Sequence, residues 1–485
     1  MVNKESIQSK IDEALKSFKI TKYRDAINIL ENLEEKKSNF LINWYLGHSY
    51  FRIYDYLSTI KYIKRSIELK GPDELNQTFL GEVLLQSNQH EESIKVFKNI
   101  LKINKINKNA LFSLAKIYSE IGKFSVSEEY FKKILEDEPQ NFEVLYELIK
   151  INKNYLDSNI IKNLKNLKDQ NNLNDVYVSF IIAENNKKEK NYKDEIDNLL
   201  KGHSDYLKTK KKASEQEFNY FTNLLPKFSK KVKNVSIELS CEYQPIFIMG
   251  LPRSGTTMIE NLITNNDNKI SRGDETGVMG KIFYSKQIIT NYDHNDLNTN
   301  FNYNKDDFKN LKKSIFDQYK QIGIDISKGL FTDKSLENFL YIDILEKIFP
   351  NAKFIYCKRN NFANLLGILK VFLPNLLWCH SLEKIMKFID LYNNKLIEIL
   401  SEKKINIKVI DIENFSNDPL NNSKDLFNFI GIKWNEDVLN INSNQQTIIK
   451  TVSNIQVRSK IVKHDLSYLK NYIPLLEKYG IKNLI

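Results

Sequence analysis

The chain has 485 residues, 41% of them hydrophobic and 27% charged, a composition that packs cores and excludes a wholly disordered or collagen-like chain. At about 100–200 residues per domain the length allows two to four. Lys and Arg outnumber Asp and Glu by 72 to 61, yet the lysines are scattered and no aromatic-interleaved basic stripe stands out. The surplus therefore reads as solvated surface plus one site for an anionic ligand, and argues against a nucleic-acid partner.

Cys241, Cys357 and Cys379 are widely spaced with no CxxC pair, so neither a disulfide framework nor a zinc site is expected, and a reducing compartment is. The opening Met1 to Ser6 lacks the apolar core of a signal peptide. The most apolar stretch, Leu365 to Trp378, is interrupted by Lys370 and Pro374 and is too short to span a bilayer. The expectation is a cytoplasmic protein with no membrane partner.

In chain order, the first signal is repetition. Leu46, Leu80 and Leu114 lie 34 residues apart, and Gly47, Gly81 and Ala115 follow them in register. The same period links Tyr50, Leu84 and Tyr118; Ile63, Phe97 and Phe131; and Ile67, Leu101 and Leu135, with Pro139 closing the third unit. This spacing predicts helix–turn–helix units, the small residue letting one helix approach the next and the larger ones filling the groove between pairs. A generic helical array is the alternative. The pattern resembles the tetratricopeptide repeat, with Trp44, Leu46, Gly47, Tyr50, Tyr56 and Pro72 near its consensus. A partial unit, shifted by one residue, precedes it at Tyr23, Ala26 and Leu30, and a weaker helical pattern, including Tyr177 to Leu200, runs on to about Phe228. Such a stack offers a concave surface for a protein or peptide partner and carries no chemistry itself. His48 and His90 read as packing or surface residues.

After Pro245 the texture changes. Ile246 to Met249 suits a buried parallel strand, Gly250 to Thr257 follows as a Gly-bounded loop, and Met258, Ile259, Leu262 and Ile263 take helical spacing. Strand, loop and helix together make a phosphate cradle of backbone N–H groups at a helix N-terminus. Gly250 and Gly255 match the first part of a Walker loop, but Thr256 stands where the Walker lysine would be. A loop with one internal cation, Arg253, and a row of hydroxyls suits a less charged leaving group than a triphosphate, transferred without a metal.

Pro252 to Thr257 resembles the 5′-phosphosulfate loop of sulfotransferases that use 3′-phosphoadenylyl sulfate. The resemblance extends over roughly residues 243–485 through Thr332-Asp333-Lys334 with Asn338-Phe339, Phe349 to Tyr356 leading into Lys358-Arg359, Val409 to Phe415 with Asp418-Pro419, and Phe427, Ile430, Gly431 and Ile432. Gln456-Val457-Arg458 resembles the nucleotide-covering loop of repeat-fused bacterial members. The resemblance implies that Arg253, Ser254, Gly255, Thr256 and Thr257 hold the donor's 5′ end and that Arg359 meets its 3′-phosphate. Gly367 stands where the family has a serine on that phosphate, Asn360-Asn361 replace its Asp-Pro, and Ile412 replaces a frequent tyrosine. Lost contacts of this kind each cost about 0.5–3 kcal/mol.

Gly273-Asp274-Glu275-Thr276 resembles the motif of tyrosylprotein sulfotransferases, which implies Glu275 as the base. Sulfuryl transfer needs a base on the acceptor side and cations or hydroxyls on the leaving oxygen, and the resemblance assigns the latter to Lys334, Arg253 and Ser453. The plainer readings are a solvated loop acid for Glu275, a surface lysine at a strand end for Lys334, a strand-end ion pair for Arg359 and a loop hydroxyl for Ser453. His294, His380 and His464 are alternative bases outside any matching motif, and Cys357 reads as core.

The sequence thus predicts an α-helical tetratricopeptide-like solenoid (1–150), degenerate helical repeats and a linker (151–240), and an α/β P-loop-type sulfotransferase domain with a parallel sheet (241–485). The expected donor is 3′-phosphoadenylyl sulfate, with no metal, and the acceptor a peptide tyrosine, a glycan or a small phenol. The competing reading is a non-catalytic interaction scaffold, and a P-loop kinase is opposed by Thr256.

Overall fold

A computed structural model of the chain describes residues 2–167, 173–236, 239, 243–265, 270–285, 304–402, 405–440, 448–451, 453–458 and 461–484. Asn39, Asp73, Asn107 and Asn141 stand one 34-residue period apart, and each side chain accepts backbone N–H groups at the start of a helix. These caps satisfy donors that the helix cannot pair for itself. They open the first helix of each pair: α3 (Phe40–Arg52), α5 (Glu74–Gln86), α7 (Lys108–Ile121) and α9 (Phe142–Ile151). The second helices are α4 (Tyr56–Lys70), α6 (His90–Ile103) and α8 (Phe124–Asp137), and α1 (Val2–Lys19) and α2 (Tyr23–Glu31) precede them. The array continues through α10 (Ser158–Lys165), α11 (Leu173–Lys188), the long kinked α12 (Tyr192–Asn219) and α13 (Leu225–Lys233).

The small residues of the repeat sit where helices touch. A Cβ on Gly47 would lie 2.6 Å from Ile63 Cδ1, and one on Gly81 2.6 Å from Phe97 Cζ. Ser93 and Ser127, also one period apart, donate to the carbonyls of Gly81 and Ala115 at 2.8 and 2.7 Å. Leu46, Ile63, Phe97, Leu114 and Phe131 are fully buried between the pairs. Gly81→Val therefore forces Phe97 out of its place and lowers stability by about 1–3 kcal/mol, to be read as a shifted urea midpoint at unchanged slope.

The C-terminal part is built on four parallel strands, β1 (Gln244–Met249), β2 (Leu330–Asp333), β3 (Lys353–Lys358) and β4 (Ile407–Asp411), in the order β2-β1-β3-β4. Alternation along β1 sends Ile246 and Ile248 to one face and Phe247 and Met249 to the other. The first face packs on α14 (Thr256–Thr264) and, further along the chain, Leu426, Phe427 and Ile430. The second face belongs to a larger core that runs without a break into the helical array, joining Phe247 and Phe331 to Phe180, Tyr220 and Phe228. The sheet's helices are α15 (Val278–Ser285), α16 (Lys305–Gln321), α17 (Ile342–Ile348), α18 (Asn361–Leu369), α19 (Leu382–Glu402), α20 (Ile412–Asn417) and α21 (Pro419–Ile430).

Polar ties join the array to the α/β part along its length. Asn88 donates to the Ile322 carbonyl at 2.6 Å, Tyr206 to the Pro374 carbonyl at 3.0 Å, and Glu217 accepts the Trp378 N–H at 2.9 Å. His203 and His380 meet Nδ1 to Nδ1 at 2.9 Å, each placing Nε2 on a backbone carbonyl. Among the described residues no helix is long and apolar enough to cross a membrane.

Candidate active site

The loop leaving β1 turns back sharply at Gly250, where a side chain would collide with Ser254 Oγ and the Cys357 carbonyl on the neighbouring strand. Arg253 is held in the left-handed region at φ 69°, a conformation costly for a residue with a side chain and favoured at ligand-holding turns. Gly255 ends the loop, and α14 starts at Thr256 with no side chain capping its first turn. That turn presents N–H groups and the positive end of a helix.

Arg253 donates Nη1 to Ser453 and Nη2 to Gln456 at 2.6 Å. Arg359, at the end of β3, donates Nη1 to the Arg253 carbonyl at 2.7 Å and lies 3.7 Å from the Glu413 carboxylate through Nε. Burial, reinforced by Arg359, pulls Arg253 down to about 10. Among the described residues the Nε–H groups of Arg253 and Arg359 and the Ser254 hydroxyl are buried without a hydrogen-bond partner. The Arg359 Nε–H faces Glu413, whereas buried donors such as the Arg253 Nε–H and the Ser254 hydroxyl are almost always paired, and two crowded guanidiniums beside such unmet donors are what an added phosphate or sulfonate would satisfy. On this observation the residues present fit a phosphosulfate donor.

Arg253, Gly255, Thr257, Arg359, Gly367 and Ser453 line one cavity of about 610 Å³. Ser254 and Thr256 are buried in the loop and are not on that wall. Gly367 leaves its Cβ position 3.2 Å from Arg253 Cβ and 3.5 Å from Arg359 Nη1, so a serine there would touch both arginines. Asn360 instead caps α18 by accepting the Ala363 N–H at 2.9 Å, and Ile412 packs over Gly255. His464 also lines the cavity, its pKa pulled down by burial and by Arg359. His380 is buried against His203, and His294 lies outside the described residues. Cys357 is core, and burial pushes its thiol up.

Glu275 and Lys334 form a second cluster, off the cavity wall, at the carboxyl end of β2. Residues 271–276 run along β2 as an extra edge: Ser271 bridges Phe331, and the Lys334 N–H meets the Asp274 carbonyl at 2.9 Å. A Cβ on Gly273 would run into the Thr332 carbonyl, so only glycine allows this approach. Gly273 N–H meets Thr332 Oγ1 at 3.0 Å, and Thr276 donates to Asp333 at 2.8 Å. The two motifs recognised separately in the sequence are thus zipped together residue by residue.

Lys334 is fully buried, which removes the reading of a surface lysine. Its ammonium lies 2.9 Å from Glu275 Oε1 and 3.1 Å from Asp274 Oδ1. Burial alone would lower its pKa, but Glu275, Asp274 and Glu260 together hold it above the ordinary lysine value. Asp274, at φ 58°, is likewise opposed by burial, yet Lys334 and Arg272 hold it at about 2. The Glu275 side chain is 47% exposed, so its carboxylate is both oriented by Lys334 and reachable.

Several residues here carried no motif. Glu260 on α14 is buried, accepts from Asp274 N–H at 2.9 Å and Thr332 Oγ1 at 2.7 Å, and pairs with Arg272 at 2.8 Å. Its signal was an acid among the apolar residues of its helix, Met258, Ile259, Leu262 and Ile263. Glu337, in the turn after β2, is pushed up to about 7 by burial, with Asp333 and Glu275 adding to the effect.

A strap formed by residues 449–451 and 453–458 joins both clusters to the helical array. On the site side the Lys450 N–H meets Asp274 Oδ2 at 2.9 Å, Thr451 Oγ1 lies 3.2 Å from Thr257 Oγ1, and Ser453 and Gln456 hold Arg253. On the array side Ile449 N–H and Arg458 Nη2 meet the Glu120 carbonyl at 2.9 and 2.7 Å, and Asn454 meets the Ser119 carbonyl at 2.7 Å. Both carbonyls belong to the last turn of α7, where helix carbonyls need outside partners.

Residues 245–436 match the family model described as the sulfotransferase family, and residues 109–141 match that of the tetratricopeptide repeat. The chain carries a sulfotransferase-like domain behind a tetratricopeptide-like helical array. An uncharacterized protein of Aquifex aeolicus is 24% identical over 250 residues, 49% of this chain and 31% of that protein. A TPR repeat-containing protein of Methanocaldococcus jannaschii is 27% identical over 126 residues, 26% of this chain and 22% of that protein. The chain therefore spans about a third or less of the length of these curated relatives. Among solved structures, the sulfotransferase domain of the Synechococcus PCC 7002 olefin synthase is 16% identical at a TM-score of 0.28, covering 51% of this chain and 98% of that one. A sulfotransferase of Mycobacterium tuberculosis is 11% identical, also at 0.28, covering 62% and 98%.

Proposed function

We propose that this chain transfers a sulfuryl group from 3′-phosphoadenylyl sulfate to an acceptor hydroxyl, with residues 241–485 carrying the chemistry. The observation that carries this reading is the convergence of Arg253, whose Nε–H is buried and unmet, and Arg359 on the cavity at the uncapped start of α14. Arg253, Ser254, Gly255, Thr256 and Thr257 hold the donor's 5′ end, and Arg359 beside Gly367 its 3′ end. The acceptor oxygen forms a bond to sulfur as the bond from sulfur to the bridging phosphate oxygen breaks. Glu275 takes the acceptor proton, and Lys334, Arg253 and Ser453 stabilise the charge on the departing oxygen. No metal is required, because these cations supply the charge.

The acceptor in this reading is a peptide tyrosine. A phenol with a pKa near 10 gives up its proton more readily than a sugar hydroxyl, which suits a carboxylate base. The array of residues 1–150, extended by 151–240, offers the surface on which a protein partner or peptide is held.

Two measurements test the proposal. Calorimetric titration with adenosine 3′,5′-bisphosphate is expected to give saturable heat, and labelled sulfate is expected to pass from 3′-phosphoadenylyl sulfate to tyrosine peptides in preference to sugars and small phenols. Absence of binding heat would leave an interaction scaffold in place of an enzyme. Binding with transfer to sugars alone would replace the acceptor and keep the reaction.

A further inference from the structure

The cavity at Arg253 has two walls, and only one of them belongs to the α/β part. The other is built by α9, the turn after it, α11 and the start of α12, which contribute Tyr146, Lys150, Lys153, Phe180, Lys187 and Glu195. The two walls meet at Tyr146. Its hydroxyl accepts the Phe372 N–H at 3.3 Å. Lys150 Nζ lies 5.3 Å from the centre of the same ring. Gly367 lines the same cavity against Arg253 and Arg359 and lacks the hydroxyl that a serine would aim at a phosphate.

Charge points the same way. Among the described residues the cationic side chains on the cavity are Arg253, Arg359, Lys370, Lys150, Lys153 and Lys187, balanced in part by Glu184 and Glu195 on its wall and by Glu147 and Glu413 beside it. The balance that remains is positive, as a bound phosphate requires, and half of the cations come from the helical array. A low-dielectric, half-enclosed cavity concentrates that field on its ligand.

Resting on the donor site proposed above, we infer that the helical array is part of that site: Lys150, Lys153 and Lys187 bind the 3′-phosphate of the nucleotide together with Arg359, and replace the contact that Gly367 cannot make. The array then does more than hold a partner. It supplies specificity for a nucleotide bisphosphate over a monophosphate, and residues 241–485 alone present half a donor cavity.

The ion pairs show which substitutions spare the fold. Glu147 is shared by Lys150 and Lys116 at 2.9 and 3.0 Å, and Glu184 by Lys153 and Lys187 at 2.8 and 3.6 Å. In the full-length variant Lys150→Gln/Lys187→Gln each carboxylate keeps one lysine. Calorimetry on this variant is expected to show binding of adenosine 3′,5′-bisphosphate weakened by about tenfold or more, with adenosine 5′-monophosphate changed less than twofold. The single variant Lys150→Gln should show the same selectivity at smaller size. Equal losses for both nucleotides, or none for the bisphosphate while the unaltered chain binds it tightly, would overturn the inference and leave the sulfotransferase reading standing. If the unaltered chain binds neither nucleotide, both fall together.

Discussion

Glu275→Gln is expected to lower the rate of sulfuryl transfer by about 10²–10⁴-fold, the range for losing a positioned general base, while adenosine 3′,5′-bisphosphate binds within about twofold of its original affinity. The split follows from the geometry. Glu275 lies at the carboxyl end of β2 on Lys334, whereas the cavity that takes the nucleotide is lined by the loop after β1, by Arg359 and by the array. The amide keeps the size of the carboxylate and can still accept from Lys334 at its present 2.9 Å, but it takes no proton at any working pH. Single-turnover transfer of labelled sulfate to the acceptor found in the screen reads the first quantity, and calorimetry the second. A variant that transfers within tenfold of the original removes Glu275 as the base. His464, inside the nucleotide cavity and depressed by burial and Arg359, is poorly suited to take over.

Much of the fold was legible because repetition and alternation are written locally. The 34-residue period places α3 to α8, and the caps at Asn39, Asp73, Asn107 and Asn141 were a further copy of the same signal. The strand–loop–helix at 246–263 follows from an apolar run, a Gly-bounded loop and helical spacing. The clusters at the site were legible as motifs and illegible as an arrangement. Thr332-Asp333-Lys334 carries no apolar signature, so a surface lysine was a fair reading. Its burial arises because residues 271–276, far away in sequence, lie along β2 and close over it. The second wall of the cavity was hidden for the same reason. The repeat period encodes how one helix pair stacks on the next, and it is silent on which face meets a second domain. Lys150 and Lys187 look like any solvated lysine until α9 and α11 are docked against Arg253 and Gly367.

Lys334→Met probes the most expensive interaction at the site. The ammonium is fully buried and faces Asp274 and Glu275 directly, with Glu260 also contributing to its field. Removing one partner of a buried ion pair costs about 3–5 kcal/mol, because the remaining charge is neither hydrated nor paired. Methionine fills the space, so the loss is electrostatic. Asp274 also keeps Arg272 and the Lys450 N–H, which places the expected cost toward the lower end. The pH dependence separates this from a packing defect. In the unaltered chain Asp274 is depressed from the ordinary 3.8 to about 2, so its stabilising contribution is present above pH 3.8 and fades as pH falls through that value toward 2. Lys334 is raised, so its own contribution is complete below 10.5 and is lost only in alkali. The stability gap between Lys334→Met and the unaltered chain should therefore be largest on the plateau between about pH 5 and 9 and should narrow below pH 4, where the orphaned carboxylates take protons. Urea unfolding across that range measures it. A gap that stays constant from pH 7 to pH 3 would show that Lys334 acts by filling space, and its role beside Glu275 would have to be given up.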